Sequence, residues 1–265
     1  QQTLNTRRKG FDLAADIKYE FGESHYLQIH DDFYTSTNKP FLASTVQYLE
    51  PNLRKEVFTN TTSDYRERGN RLNLFYNVPI ISKGRIELSL DYIYQSTRDK
   101  QAIEEISDTE KTDFPILYNG QYHVYLAKLN YTGQFFKWID GSVGADFMTL
   151  RNHTLSDSKS MKSCLLNGKG RHTERQFAYY VNLQKQIGKI LDVQAGVRSE
   201  FVRMEYTEFK PSQQRTKRLC KLFPFFSLSL DLSPKWSLSF AFDRKMNLPS
   251  YQELNPIITY FDRYS

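Results

Sequence analysis

Apolar and charged side chains alternate along much of this chain with a period of two residues. Between Phe11 and Phe21 the odd positions are apolar: Phe11, Leu13, Ala15, Ile17, Tyr19 and Phe21. The charged residues of this segment lie at even positions: Asp12, Asp16, Lys18 and Glu20. Because successive side chains of a β-strand point to opposite faces, the pattern predicts a strand with one apolar and one charged face. Similar segments recur about ten times along the chain.

The length of these segments indicates where the strands lie. A strand tilted by about 45° rises by about 2.4 Å per residue, so about ten residues cross an apolar band about 25 Å tall. The segment from Phe11 to Phe21 has this length. Strands in soluble sheets have about five or six residues. The pattern therefore predicts transmembrane β-strands.

The predicted strands form five pairs. They are residues 11–21, 26–35, 71–79, 85–97, 121–131, 138–149, 175–186, 191–202, 221–232 and 236–246. Tight turns join the two strands of a pair, and long polar segments, 36–69, 98–120, 150–173 and 203–220, follow the pairs. Barrels of the outer membrane have short periplasmic turns and longer extracellular loops. We therefore expect an all-β, antiparallel, up-and-down meander of about ten long strands in the cell outer membrane, with these polar segments as extracellular loops.

The alternation also assigns side chains to the two faces of the predicted wall. The predicted lumen face carries charged residues: Asp12, Asp16, Glu87, Asp140, Asp192, Arg198 and Asp243. Trp138 and Trp236 follow short turns and are expected in the inner aromatic girdle. In the segments 121–131 and 221–226 apolar groups fall on both faces, so the pattern alone does not orient their side chains. The residues concerned are Val124, Leu126, Phe223 and Phe225.

Composition is compatible with a barrel and excludes a helical membrane protein. The mean hydropathy is -0.61, charged residues make up 25% and aromatic residues 15%. No apolar run is long enough for a spanning helix or a signal peptide. In a barrel every second residue faces a polar lumen, and aromatic girdles mark both interfaces, which suits 18 Tyr and 19 Phe.

The order of the predicted strands indicates that the barrel is larger than this chain. The first predicted strand begins on the extracellular side and the last ends there, whereas a complete barrel is expected to begin and end in the periplasm. We therefore expect residues 1–265 to be an internal part of a barrel domain. A signal peptide, a plug domain and further strands are expected outside this sequence.

Three stretches in the last third of the chain carry a family resemblance. They are Leu191 to Phe201, the hairpin from Phe225 to Lys245, and Met246 to Ser265. They resemble the barrel domain of TonB-dependent outer-membrane receptors, and more narrowly the outer-membrane β-barrel family common in Bacteroidetes. In that family a loop of the form Arg-Pro-Ser-Tyr-Gln-Asp-Leu-Asn-Pro precedes an aromatic run and Asp-Pro-Tyr-Thr. The matching residues are Pro249, Ser250, Tyr251, Gln252, Leu254, Asn255, Pro256, Asp262 and Tyr264. The chain departs from the family pattern at Leu248, Glu253 and Arg263.

The resemblance implies energised import of a bulky nutrient ligand. It implies a barrel of about 22 strands, a plug domain inside it, and contact with TonB through parts that this sequence does not contain. A surface lipoprotein is a further expected partner. No cofactor and no catalytic residue is implied. In such receptors extracellular loops and the plug hold the ligand, so no ligand-binding residue carries over.

Other functions remain as alternatives. A passive porin would share the barrel but not the Pro249–Pro256 loop. A surface adhesin or structural β-meander should have polar residues on both faces, whereas here one face is apolar. An enzyme is the weakest alternative. His30, Asp31 and Asp32 could act as a base at a barrel rim, but ordinary rim polarity explains them better.

The sequence contains no spacing typical of a metal site. The five histidines, His25, His30, His123, His153 and His172, do not form an HExxH motif. The acidic run from Glu104 to Glu110 lacks the alternating ligands and the glycine of an EF-hand loop. We expect no metal, and we expect the acidic run to be a solvated loop.

The net charge of +6 raises the question of an anionic partner. Lys and Arg are spread among polar segments such as 159–175 and 210–221, and no nucleic-acid-binding motif accompanies them. Near an outer-membrane rim such cations would face the phosphates of lipopolysaccharide rather than a nucleic acid. Contact with membrane lipid and simple solvation remain equal alternatives at this point.

The chain has two cysteines, Cys164 and Cys220. Both lie in or beside predicted extracellular loops, where the environment permits a disulfide. Two loops on one rim can bring such residues close enough to bridge. A disulfide between Cys164 and Cys220 and two unpaired residues are equal alternatives.

Overall fold

The computed structural model describes residues 2–50, 53–80, 84–107, 111–135, 138–158, 168–188, 190–209 and 212–245. These residues form one antiparallel sheet of twelve β-strands. The strands are β1 Gln2–Asn5, β2 Arg8–Gly22, β3 His25–Asn38, β4 Phe41–Glu50, β5 Leu53–Ile80, β6 Gly84–Ser107, β7 Lys111–Phe135, β8 Ile139–Ser158, β9 Gly168–Ile187, β10 Leu191–Phe209, β11 Ser212–Ser233 and β12 Trp236–Asp243. Among the described residues no helix is long and apolar enough to cross a membrane.

The first four segments behave as two longer strands. β2 pairs with β3 and β1 with β4, while β5 pairs with both β3 and β4. The Lys39 amide donates to the Arg7 carbonyl at 3.0 Å, and the Ser63 amide donates to the Pro40 carbonyl at 3.0 Å, so hydrogen bonding continues past both interruptions. Pro40 has no amide hydrogen and cannot donate to the ladder itself. With β1–β2 and β3–β4 each taken as one strand, the predicted meander of about ten strands is confirmed.

The register confirms the two faces predicted from the alternation. Residues directly opposite each other in an antiparallel ladder lie on the same face. Leu13 pairs with Phe33, and Ile29 with Leu74, which in turn pairs with Leu90. Large apolar side chains of this face are exposed along the whole sheet: Leu13, Leu90, Leu129, Phe147, Val197 and Phe240. The other face carries the predicted charged residues: Asp12, Asp16, Glu87, Asp140, Asp192, Arg198 and Asp243.

An exposed apolar face of this extent requires lipid rather than water. We call it the lipid face and the opposite one the lumen face. The sheet is open in the described part of the chain, where β2 pairs only with β3 and β12 only with β11. Trp138 and Trp236 are exposed at the end of the sheet with the short turns. The Lys185 ammonium lies 4.0 Å from the centre of a Trp138 ring, an arrangement typical of a membrane interface.

The prediction of long extracellular loops is wrong for most of their residues. β5, β6 and β7 have 28, 24 and 25 residues, far more than the membrane requires. Residues 41–50 and 53–62 form a hairpin, and 98–107 and 111–120 form another. In 150–173 and 203–220 the described residues are also strand, while 159–167 and 210–211 lie outside the described part.

The physical reason for this error is a change of environment. Beyond the membrane the outward face no longer needs apolar side chains, so polar residues such as Arg66 and Arg98 replace them and the alternation is lost. The hairpins instead bury apolar groups on their inner side. Ile103, Phe114 and Ile116 form a buried cluster there, with Tyr118 packed against it. The extended end corresponds to the extracellular side, because barrels have their longer connections there.

Candidate functional site on the lumen face

Arg198 is the centre of a charged cluster on the lumen face. It lies on β10, and its Nε donates to Glu200 Oε1 at 2.6 Å. Its Nη1 donates to Asp146 Oδ2 on β8 at 2.5 Å. Such charge-assisted bonds are shorter and stronger than neutral ones. Arg198 therefore links two strands that do not pair with each other, across the intervening β9.

Ala178 makes this bridge sterically feasible. On β9 it pairs with Asp146 on one side and Glu200 on the other, so it lies directly beneath the path of the Arg198 side chain. Its exposed fraction is 0%. A larger side chain would occupy the space that the guanidinium crosses.

A second chain of hydrogen bonds extends the cluster toward β6. The Tyr180 hydroxyl donates to Asn130 Oδ1 at 2.9 Å, and Asn130 Nδ2 donates to Glu87 Oε2 at 3.0 Å. The Tyr180 ring centre lies 5.8 Å from the Arg198 guanidinium and 6.0 Å from the Lys128 ammonium. Gly144 faces Tyr180, and a Cβ there would lie 2.5 Å from the Tyr180 ring, so only glycine fits beside it.

A cavity of about 630 Å³ opens beside this cluster. Its wall includes the aromatic rings of Tyr180, Phe223 and Phe225. Lys128 and Arg198 bring positive charge to it, and Glu200 brings negative charge. Phe223 and Phe225 belong to the segment that the sequence pattern did not orient, and the structure places both on the lumen face. The cavity offers stacking surfaces and hydrogen-bonding groups to whatever occupies the lumen.

The lumen face of the earlier strands is polar in the same way. On β5, Asn73 Nδ2 donates to Asp91 Oδ1 at 2.9 Å, and Arg71 Nη2 lies 3.4 Å from the same carboxylate. Asp16 Oδ1 lies 2.8 Å from His30 Nδ1. These contacts join neighbouring strands side chain to side chain, which holds polar groups in fixed positions along the wall.

The structure separates the three adjacent residues weighed above as a catalytic group. His30 and Asp32 lie on the lumen face, whereas Asp31 lies on the lipid face and accepts a hydrogen bond from Asn70 Nδ2 at 2.7 Å. Because neighbours in a strand point to opposite sides, His30 pairs with Asp16 instead. The three residues therefore do not form one group, and they lie on β3 only five to seven residues from the short turn before His25.

The acidic run is also divided between the faces. Glu104 lies on the outward side of β6 and forms an ion pair with Lys111, whereas Glu105 is buried on the inner side. The expectation of a solvated loop is wrong for residues 104–107, which belong to β6, while residues 108–110 of the run lie outside the described part. Within the described residues no group of three or more His, Cys, Asp or Glu side chains could hold a metal ion.

The residues of the family loop cannot be placed on the sheet. Pro249 to Tyr264 all lie outside the described residues, as does Cys164. Cys220 lies on β11 opposite Phe201 and is exposed. The disulfide between Cys164 and Cys220 therefore stays a prediction. The sequence pattern placed Arg198 on the lumen face, but it did not predict that Arg198 forms a cluster with residues of neighbouring strands.

Residues 82–265 match the family described as the outer membrane protein beta-barrel family. The chain belongs to this family. Its members are proteins of the outer membrane, in agreement with the lipid face and the polar lumen face. No curated protein matches the sequence.

Solved outer-membrane receptors have the fold of this family member. The ferripyoverdine receptor of the outer membrane of Pseudomonas aeruginosa, bound to ferripyoverdine, superimposes with a TM-score of 0.54 and 11% identity over 91% of this chain and 41% of that chain. P. aeruginosa FpvA bound to heterologous pyoverdines superimposes with a TM-score of 0.50 and 11% identity, over 91% of this chain and 41% of that chain. The FpvAI–pyocin S2 complex superimposes with a TM-score of 0.50 and 11% identity, over 91% of this chain and 40% of that chain. The chain thus spans about two fifths of the receptors it matches.

Proposed function

We propose that the chain is part of the wall of a TonB-dependent receptor that imports a bulky nutrient ligand across the outer membrane. The observation that carries the proposal is the sheet itself. Its lipid face is apolar and its lumen face is polar, and solved receptors share its arrangement of strands over 91% of its length. The family loop from Pro249 to Pro256 supports the same assignment. A non-enzymatic role follows from the proposal.

The proposal includes parts that this sequence does not contain. A barrel of about 22 strands is wide enough to need a plug. Displacing that plug takes work, which TonB would deliver from the proton-motive force through a segment outside residues 1–265. A surface lipoprotein is a proposed partner on the extracellular side, and a member of the Bacteroidetes is the proposed source.

The lumen cluster has a defined role in this proposal. A plug presses against the wall, and a wall that holds it must keep its polar groups in fixed positions. The bridge from Arg198 to Asp146 and the chain from Tyr180 to Glu87 do so across five strands, β6 to β10. The cavity beside Phe223 and Phe225 lies where a plug loop or a ligand would contact the wall.

The ligand is proposed to bind at the extracellular hairpins. Because these are strands and not flexible loops, they form a rigid vestibule above the lumen. The inner sides of β6 and β7 bury Ile103, Phe114 and Ile116, which stiffens this part further. Rigid elements position contact residues more precisely than flexible loops.

Transport is tested with the full-length protein in its own host. We expect uptake of the nutrient whose use depends on this protein to stop when TonB is deleted or when an uncoupler collapses the proton-motive force. We also expect the purified full-length protein to bind the periplasmic domain of TonB. Uptake that persists without TonB, by a protein that does not bind this domain, would support the porin alternative.

A further inference from the structure

Three arginines face one another on neighbouring strands of the lipid face. Arg175 on β9 is directly opposite Arg203 on β10, which is directly opposite Arg218 on β11. We call these three residues the arginine row. Opposed residues have Cβ atoms about 4.5–5.5 Å apart, and like charges in such pairs destabilise a sheet. The row is therefore unfavourable unless negative charge lies close to it.

The protein supplies little of this negative charge. Arg203 forms an ion pair with Glu205 on the same strand. In the described part of the chain, neither Arg175 nor Arg218 forms an ion pair with a carboxylate. A cleft of about 490 Å³ adjoins the row, and Arg151 and Arg171 line it together with Arg175 and Glu205. Positive charge is in excess throughout this surface.

The row lies at the upper border of the lipid face. Arg175 and Arg203 are each two residues beyond an exposed aromatic ring, Phe177 at 45% and Phe201 at 42% exposure. They lie about a dozen residues from the short-turn ends of β9 and β10, whereas about ten residues cross the apolar band. At this height, on the outward side of the wall, the neighbours are lipid headgroups.

We propose that the arginine row, with Arg151 and Arg171 beside it, binds a phosphate group of a lipopolysaccharide molecule. Guanidinium groups match phosphate oxygens in a bidentate geometry, and two or three of them can share one phosphate. A lipid-linked phosphate fits better than a free one, because the acyl chains can lie against Phe177 and Phe201 below the row. The inference rests on the outer-membrane location and is independent of TonB-dependent transport.

The test measures lipid binding to the full-length protein by native mass spectrometry. The probes are bisphosphorylated lipid A, dephosphorylated lipid A with the same acyl chains, and inorganic phosphate. We expect the bisphosphorylated lipid to bind at least about tenfold more tightly than the dephosphorylated one, since hydrogen bonds between charged groups are strong. Equal binding of the two lipids would overturn the proposal. Binding of inorganic phosphate as tight as that of the lipid would overturn the assignment to a lipid.

A pair of variants tests the residues themselves. Arg175→Gln with Arg218→Gln removes the two guanidiniums without an ion pair and leaves the Arg203–Glu205 pair in place. We expect this variant to lose at least about tenfold in affinity for bisphosphorylated lipid A, and Arg175→Lys with Arg218→Lys to retain most of it. The matched control is Arg71→Gln with Arg85→Gln, which removes two positive charges from the lumen face. An equal loss of affinity in this control would overturn the proposal. The comparison of the two lipids uses the unaltered protein, so its result does not depend on how any variant folds.

Discussion

The Arg198 guanidinium on β10 lies 2.5 Å from the Asp146 carboxylate on β8, although these strands are separated by β9. The ion pair crosses the sheet on its lumen side, away from the lipid face. Partial exposure of both side chains limits its strength, because solvent screens the charges. Its main effect is therefore positional: it holds three strands at fixed spacing and aligns the polar wall of the cavity.

Substituting Ala178 tests whether this bridge depends on a small residue beneath it. Ala178→Leu places a larger side chain where Arg198 crosses β9, and we expect it to lower the free energy of unfolding by about 1–3 kcal/mol. Ala145→Leu is the matched control, because Ala145 lies on the lipid face, where the added atoms meet acyl chains. Urea unfolding of the full-length protein in bilayers measures both. A larger loss for Ala145→Leu would contradict the assigned path of Arg198.

Arginine substitutions distinguish the lipid face from the lumen face. Leu88→Arg should destabilise the full-length protein by roughly 2–4 kcal/mol, because Leu88 lies between Tyr76 and Leu129 on the lipid face. Ser89→Arg and Gln194→Arg should have little effect, since both residues face the lumen. Equal losses at Leu88 and Ser89 would show that the assigned faces are wrong.

The loss of stability caused by an arginine on the lipid face should depend on the depth of the substituted residue in the membrane. Val193 lies close to the beginning of β10 and is opposite Lys185, whose ammonium lies beside Trp138 at the interface. Val193→Arg should therefore be mild, at about 0–1 kcal/mol, whereas Val197→Arg should approach the value at Leu88. The same unfolding measurements test this order, and the reverse order would refute the depth assignment.

Shortening one hairpin tests the proposed vestibule. Pairing of β5 with β6 ends at Val57 and Ser107, and residues 47–56 pair only among themselves in the described part of the chain. Replacing residues 47–56 by a two-residue turn should weaken binding of the imported nutrient while the barrel stays folded. Heat-modifiable migration in gels monitors folding, and equilibrium binding monitors the ligand. Unchanged binding in a folded variant would exclude this hairpin from the ligand site.

Acid should loosen the tip of the β6–β7 hairpin. Hydrogen bonds from Lys111 and from Asn60 Nδ2, the latter at 3.1 Å, lower the pKa of Glu104 below its ordinary value. A carboxyl whose pKa is lower in the folded than in the unfolded state stabilises the fold above its unfolded pKa of about 4.3. This stabilisation is lost as the pH falls through the lowered pKa of Glu104 in the folded state. Hydrogen-exchange protection of the tip should decrease in that window.

Glu104→Gln is the control for the acid effect. This variant keeps a hydrogen-bonding side chain at position 104, but that side chain cannot titrate. The hairpin tip should therefore show less hydrogen-exchange protection at neutral pH than in the unaltered protein. Acidification should cause no further loss of protection through position 104. Protection that decreases equally in the variant and in the unaltered protein would assign the acid effect to another group.

The alternation of residues by itself determined the membrane part of this protein. Every second residue of a spanning strand must be apolar because lipid surrounds it, so the pattern identified about ten strands and placed Leu13, Leu88 and Leu90 on the lipid face. The lumen position of Asp192 and Arg198 followed from the same alternation. These features depend only on the neighbours of each residue in its own strand.

Only the tertiary structure decided the contacts between strands. The hairpin of β4 and β5 continues beyond the lipid, where the outward face needs no apolar residues and the pattern disappears. The bridge from Arg198 to Asp146 and the arginine row join residues far apart in sequence, and which residues meet depends on the register of each ladder. A shift by one residue would move every side chain to the other face, and a shift by two would preserve the faces but change every pair. The alternation is the same for all registers that differ by two residues, so it cannot select among them, whereas side-chain packing and hydrogen bonding across the whole sheet can.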